Sequence, residues 1–128
     1  MSRKKSREYV FRLVFEKFFH EPDVDLEFED EDFVIMEEDR PFVNDLIGGV
    51  NVHYDEILNI IKSNTEGYEL DRIYKVDLAI LVLAIYELKF SSETPQNVVI
   101  NEAIELSKKY STDKSYSFIN GVLAKVIK

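Results

Sequence analysis

The chain offers few side chains for catalysis, and their spacing narrows the choice further. Its two histidines, His20 and His53, stand at neither a metal-ligand nor a triad spacing. There is no cysteine, which removes thiolate metal sites, a cysteine nucleophile and a disulfide scaffold, and suits a reducing compartment. No serine lies in a nucleophile-elbow sequence. The acid-rich stretch 23–32 lacks the glycine that a calcium loop of the EF-hand kind needs at its sixth position. Gly48-Gly49 is followed by no Lys-Ser/Thr pair, so it is not a phosphate loop. Carboxylates are so abundant that their pairing carries no information. These residues predict no enzyme and no metal site.

What remains is binding through charge. Sixteen Lys and Arg against 25 Asp and Glu give a net charge of −9, which taken as a uniform body would repel nucleic acid. The charge is not uniform. Arg3, Lys4, Lys5, Arg7 and Arg12 face only Glu8 at one end of the chain, and Lys108, Lys109, Lys114, Lys125 and Lys128 face only Asp113 at the other. Residues 21–45 carry acids against the single Arg40. If the fold brings the two ends together, an acidic protein acquires one basic patch.

The elements that must position these charges read as helices throughout. Val10, Leu13, Val14 and Phe18 follow helical spacing, so residues about 4–19 form a helix with a basic first turn. Positive charge there opposes the helix dipole by about 0.3–1 kcal/mol per exposed group. An anionic partner would account for it, as would a solvated basic tail. Residues 21–38 are the least regular and read as an acidic connection. Asp39-Arg40-Pro41 starts a long amphipathic helix to about Ser63, carrying Phe42, Leu46, Val50, Ile57 and Ile61. Gly48-Gly49 inside it costs about 1 kcal/mol per glycine relative to alanine, which close approach of another helix would explain.

Residues 71–90 form a central helix whose segment Leu78–Tyr86 is apolar all round, as burial within a bundle requires. That run is far short of the roughly 20 residues of a membrane span, and the N-terminus has no apolar stretch suited to a signal peptide. The expected setting is soluble and cytoplasmic. Thr94-Pro95 starts a further helix with Val99, Ala103, Ile104 and Leu106 on one side, and a last helix runs from about Asp113. The predicted class is an all-α bundle of six to seven helices.

Three blocks carry a resemblance. Asp77–Leu88 leads through Pro95 to Val99–Lys108, containing INEAIEL, and then to Ser115–Leu123, containing FINGVL. A basic cluster before Arg7-Glu8, the apolar positions ending at Phe15, and Asp45–Val50 complete the pattern. Together they resemble the NusB family of bacterial transcription antitermination factors, with residues 20–38 as the gap. Phe15 stands where that family usually has tyrosine, and Asp45–Val50 is similar to its LLxGV element. The resemblance implies an all-α fold of two helical subdomains, about 1–64 and 65–128, without catalysis or cofactor. It also implies binding to boxA RNA together with the small-subunit ribosomal protein NusE, within the RNA polymerase antitermination complex on ribosomal RNA operons.

The resemblance further assigns roles. Arg3, Lys4, Lys5 and Arg7 occupy the family's RNA-contacting N-terminus, and Lys114, Ser115 and Phe118 its second RNA-contacting region. Phe15, Asp71 and Asp77 match positions that meet the ribosomal protein. The physics agrees: acids on a helix face would steer a basic protein, bases would serve phosphate, and Phe118 or Tyr116 would stack on bases or pack in the core. Leu78 and Val82 stand where the family often has arginine, and Lys114 where it is commonly acidic. Asn101 and Asn120 read as structural, bonding backbone where helices meet. Homodimers occur in some relatives. The alternatives are a protein-only helical adaptor that never touches RNA, and a piece of a ribosomal RNA methyltransferase, in which the same fold precedes the catalytic domain.

Overall fold

The computed structural model describes residues 3–19, 36–65 and 69–127. Among them are five α-helices: α1 (Arg3–Lys17), α2 (Arg40–Ser63), α3 (Lys75–Lys89), α4 (Gln96–Tyr110) and α5 (Ser115–Val126). Short 3₁₀ turns at Glu37–Asp39 and Leu70–Arg72 lead into α2 and α3. The class is all-α as expected, but the described residues hold five helices rather than six or seven. Gly48-Gly49 lies inside α2 as expected, and α3 begins at Lys75 rather than at 71, because the chain at 70–72 winds as a 3₁₀ turn and Ile73 is extended. The acidic stretch 23–32 and His20 lie outside the described residues.

Helix α3 is the axis of the bundle. Every residue from Asp77 to Glu87 is buried, and α1, α2, α4 and α5 all pack against it. The all-round apolar sequence follows from this, since no face of the helix meets water. The surrounding helices bury single stripes. In α2 these are Phe42, Val43, Leu46, Ile47, Val50, Ile57 and Ile61; in α4 they are Val99, Ala103, Ile104 and Ser107; in α5 they are Ile119, Val122, Leu123 and Val126 together with Ser115. Leu78 and Val82 belong to this core, so their apolar character is required where they sit. No described helix is long and apolar enough to cross a membrane.

The two glycines of α2 have different surroundings. A Cβ at Gly49 would lie 2.1 Å from Tyr86 ring carbons of α3, whereas one at Gly48 would meet nothing within 4 Å. The expected close approach of a second helix therefore holds at Gly49. The buried Tyr86 donates a hydrogen bond to Asp45 Oδ1 at 3.2 Å, tying α3 to α2. Burial and then the neighbouring Asp45 carboxylate push its phenol up to about 12. His53 stacks on Phe90 at 4.1 Å and 14° and bonds Glu56 at 2.9 Å through Nδ1, which is a packing role. Asn101 and Asn120 are exposed and their side chains make no hydrogen bond among the described residues, so the backbone-bonding role expected of those side chains is not seen.

Candidate nucleic-acid interface

The first turn of α1 places Arg3, Lys4 and Lys5 on the surface and turns Ser6 and Arg7 inward. Arg3 lies over the Phe42 ring at 4.2 Å and within 3.7 Å of Glu93. Lys4 and Lys5 face the last turns of α4 across a groove also lined by Lys108 and Lys109, with Glu8, Glu102 and Glu105 between them. Lys4 and Lys108 stand 3.9 and 3.6 Å from Glu105. Such exposed pairs are worth about 0–1 kcal/mol, so a phosphate can replace the carboxylate at little cost.

One pair in this groove is tighter. Glu8 accepts hydrogen bonds from Lys109 Nζ at 2.6 Å and from the Tyr110 hydroxyl, fastening α1 to α4. Burial alone would raise the Glu8 carboxyl, but the bonds from Lys109 and Tyr110 and the charge of Lys109 outweigh it and hold it below its ordinary 4.5. The bond to Glu8 raises Lys109 above 10.5. Glu8 thus adds stability above its ordinary range that is lost as pH falls through its depressed value. Lys109 adds stability below 10.5 that is lost as pH rises through its raised value. Glu8→Gln is expected to flatten the acid limb of a stability–pH profile. An unchanged acid limb in urea titrations below pH 5 would show that the tie contributes nothing.

Arg7 departs from the expected surface role. It is buried, and its guanidinium donates to Glu87 Oε2 at 2.8 Å through Nε and to Oε1 at 2.9 Å through Nη2. Nη2 also donates to Thr94 Oγ1 at 3.2 Å. All of this lies under the Phe42 ring, whose centroid is 5.1 Å from the guanidinium carbon. A side chain held in this way binds α1 to α3 and does not sit on an exposed phosphate-binding surface.

The second region is a separate groove, where the turn before α3 meets the α4–α5 turn. Arg72, Ile73, Tyr74, Asp77, Thr112, Lys114, Ser115 and Phe118 line it. Here two residues with expected interface roles are buried. Asp77 is buried in the first turn of α3, and its carboxylate accepts from Ser111 Oγ at 2.5 Å and Ser115 Oγ at 2.8 Å. Ser115 is buried too, within 2.6 Å of Ser111 Oγ and 3.2 Å of Thr112 Oγ1. The acid accepts from both hydroxyls, and the Ser115 hydroxyl is taken up by the acid. Together they fix the α4–α5 turn onto α3, which orients exposed Lys114 and half-buried Phe118 at the start of α5.

Of the residues expected to meet a protein, Asp71 is exposed in the 3₁₀ turn and Phe15 is half-buried near the end of α1. Phe15 packs edge-on against Phe19 at 5.0 Å, and the Phe19 ring is 63% exposed. Lys75 at the start of α3 lies 5.9 Å from the Phe18 ring. The end of α1 is therefore an aromatic surface next to the start of α3. No group of His, Asp and Glu able to hold a metal ion occurs among the described residues.

A profile model of the NusB family matches residues 4–128. The chain belongs to the NusB family. It is 44% identical to the transcription antitermination protein NusB of Lachnoclostridium phytofermentans, with 99% of each chain covered. It is 42% identical to the protein of the same name from Finegoldia magna, covering all of this chain and 95% of that one. The solved structure of T. maritima NusB superposes with a TM-score of 0.88 at 32% identity, over 99% of this chain and 91% of that one. The Lachnoclostridium phytofermentans and Finegoldia magna relatives are both named as transcription antitermination proteins.

Within the NusB framework, the residues expected to touch RNA divide between the two grooves. Lys4 and Lys5 line the α1–α4 groove, Arg3 lies apart beside Phe42 and Glu93, and Lys114 and Phe118 line the α3–α5 groove. Lys108 and Lys109 join the α1–α4 groove from the basic end of the chain, and Arg72 and Tyr74 join the α3–α5 groove from the turn before α3. Their signal lies in three dimensions, because only the folded turn brings them opposite Lys114 and Phe118.

Proposed function

We propose that this chain is a transcription antitermination factor of the cytoplasm that binds boxA-type single-stranded RNA together with the ribosomal protein NusE. In this reading the pair joins the RNA polymerase antitermination complex on ribosomal RNA operons. The observation that supports it best is the gathering of Lys4, Lys5, Lys108 and Lys109 along one α1–α4 groove in a protein of net charge −9. Bases from both ends of the chain meet there, as an anionic polymer requires. The exposed Phe19 ring beside half-buried Phe15, and exposed Asp71, suit a basic protein docking on the other end of α1.

Charge reversal tests the RNA side. Lys4→Glu/Lys5→Glu is expected to weaken boxA-type RNA binding in a gel-shift titration. It should also lower the slope of log affinity against log salt by about 1.4, at roughly 0.7 per single-strand phosphate contact. Unchanged affinity would sink the assigned RNA face. A protein-only adaptor has one observation in its favour: Lys4, Lys108 and Lys109 all lie near carboxylates of their own chain. Titration of NusE alone, and of NusE with RNA, separates the two readings.

A further inference from the structure

The α1–α4 groove holds two kinds of carboxylate. Glu8 is a fastening: its side chain is 12% exposed, and the Lys109 ammonium and the Tyr110 hydroxyl both donate to it. Glu105 is held differently. Its side chain is 41% exposed, and it faces Lys4 Nζ through Oε1 at 3.9 Å and Lys108 Nζ through Oε2 at 3.6 Å. Both distances exceed hydrogen-bond range, so charge alone keeps the carboxylate in place.

The arrangement follows from the helices. Glu105 and Lys108 stand three positions apart and share a face of α4, while Lys4 comes from the first turn of α1. One carboxylate thus spans two cations from two helices, with one oxygen turned to each. The two non-bridging oxygens of an RNA phosphate would span the same pair in the same place. Glu105 and an incoming phosphate therefore compete for Lys4 and Lys108. The groove leaves access for that exchange, since it encloses about 480 Å³ and both lysines are exposed. Across the whole lining, Lys4, Lys5, Lys108 and Lys109 are set against Glu8, Glu102 and Glu105, a net of only +1. Cations already neutralised by their own chain release fewer counterions when RNA binds, so the acids lower both affinity and its salt dependence.

We propose that Glu105 is an internal competitor for phosphate: its carboxylate occupies the place of an RNA phosphate between Lys4 and Lys108 and restrains the groove until a bound strand displaces it. The proposal rests on the RNA-binding reading above and adds to it how the same groove limits its own affinity. Glu8, bonded by two partners, stays in place during the exchange.

The test titrates the full chain, with NusE present, against a fluorescein-labelled boxA-type RNA oligonucleotide at several salt concentrations. Glu105→Gln keeps the side-chain shape and removes the charge. It is expected to tighten RNA binding roughly fivefold at low salt, the scale of releasing two exposed ion pairs. The slope of log affinity against log salt should steepen by about 0.7, one single-strand phosphate contact. Glu105→Ala should give the same gain, and thermal melting of both variants shows that they remain folded during the titration. Glu102→Gln removes an equal charge from the same groove, but Glu102 pairs with no lysine among the described residues. Its gain should stay below about twofold, because a charge out of contact is screened. Glu105→Gln/Lys108→Gln removes the competitor with one of its cations and should return the slope to about the wild-type value. If Lys4→Glu/Lys5→Glu weakens RNA binding but Glu105→Gln and Glu105→Ala bind as wild type does or more weakly, the competitor is overturned and the RNA reading stands. An equal gain from Glu102→Gln also overturns it, since net charge alone would then account for the effect. Wild type that fails to bind RNA with NusE present overturns both.

Discussion

Arg7→Ala is expected to destabilise the fold by about 3–5 kcal/mol, because it leaves Glu87 charged, enclosed and unpaired. The two side chains are 5% and 4% exposed, and their contact is bidentate, the strongest ion-pair geometry available to a guanidinium. Urea denaturation should show the midpoint falling with little change in slope. The double variant Arg7→Met/Glu87→Met is expected to recover most of the loss, since apolar groups of similar volume can replace a buried pair at little cost. The same double variant decides what Arg7 does for RNA. If Arg7 acts only by holding α1 on α3, the refolded double variant binds RNA as wild type does, while Arg7→Ala loses binding in proportion to its unfolded fraction. RNA binding that stays lost in a stable double variant would return Arg7 to the phosphate-contacting set. Wild-type stability of Arg7→Ala would remove the clamp between α1 and α3 altogether.

Arg7 also shows where reading the sequence stops. Helical spacing placed α1, α2, α4 and α5 close to their observed bounds, because each buries a stripe whose period is visible in one dimension. The all-apolar segment Leu78–Tyr86 announced its own position as the axis, since only a helix enclosed on every side can carry it. The basic first turn of α1, in contrast, reads as four equivalent cations. Which of them turns inward depends on an acid eighty positions away in sequence, Glu87, and on the rotation of α1 against Phe42. Asp77 and Ser115 were legible as polar residues near the interface but not as partners of each other, because their hydrogen bond joins two blocks that the turn at 111–114 brings together. Polar side chains follow tertiary neighbours, and periodicity says nothing of these.

Adjacent glycines in α2 should respond to substitution with opposite signs. Gly48→Ala is expected to stabilise the protein by about 1 kcal/mol, the helix-propensity difference between the two residues, because the new methyl enters open space. Gly49→Val should destabilise by about 3 kcal/mol through overpacking. Its Cβ would fall 2.1 Å from the Tyr86 ring, and the ring cannot swing away freely. Tyr86 is buried in the packed face of α3 and anchored by its hydroxyl to Asp45 at 3.2 Å, so displacing it opens the α2–α3 seam and abandons a buried polar group. Thermal melting of the two variants beside wild type measures both effects. The absorbance titration of Tyr86 gives a second readout specific to the seam: its phenol, pushed up to about 12 by burial and Asp45, should titrate nearer its ordinary value of 10.0 once the ring is displaced. If Gly49→Val melts with wild type, α2 and α3 do not meet at this glycine. If Gly48→Ala destabilises, something outside the bundle has claim to that exposed face of α2.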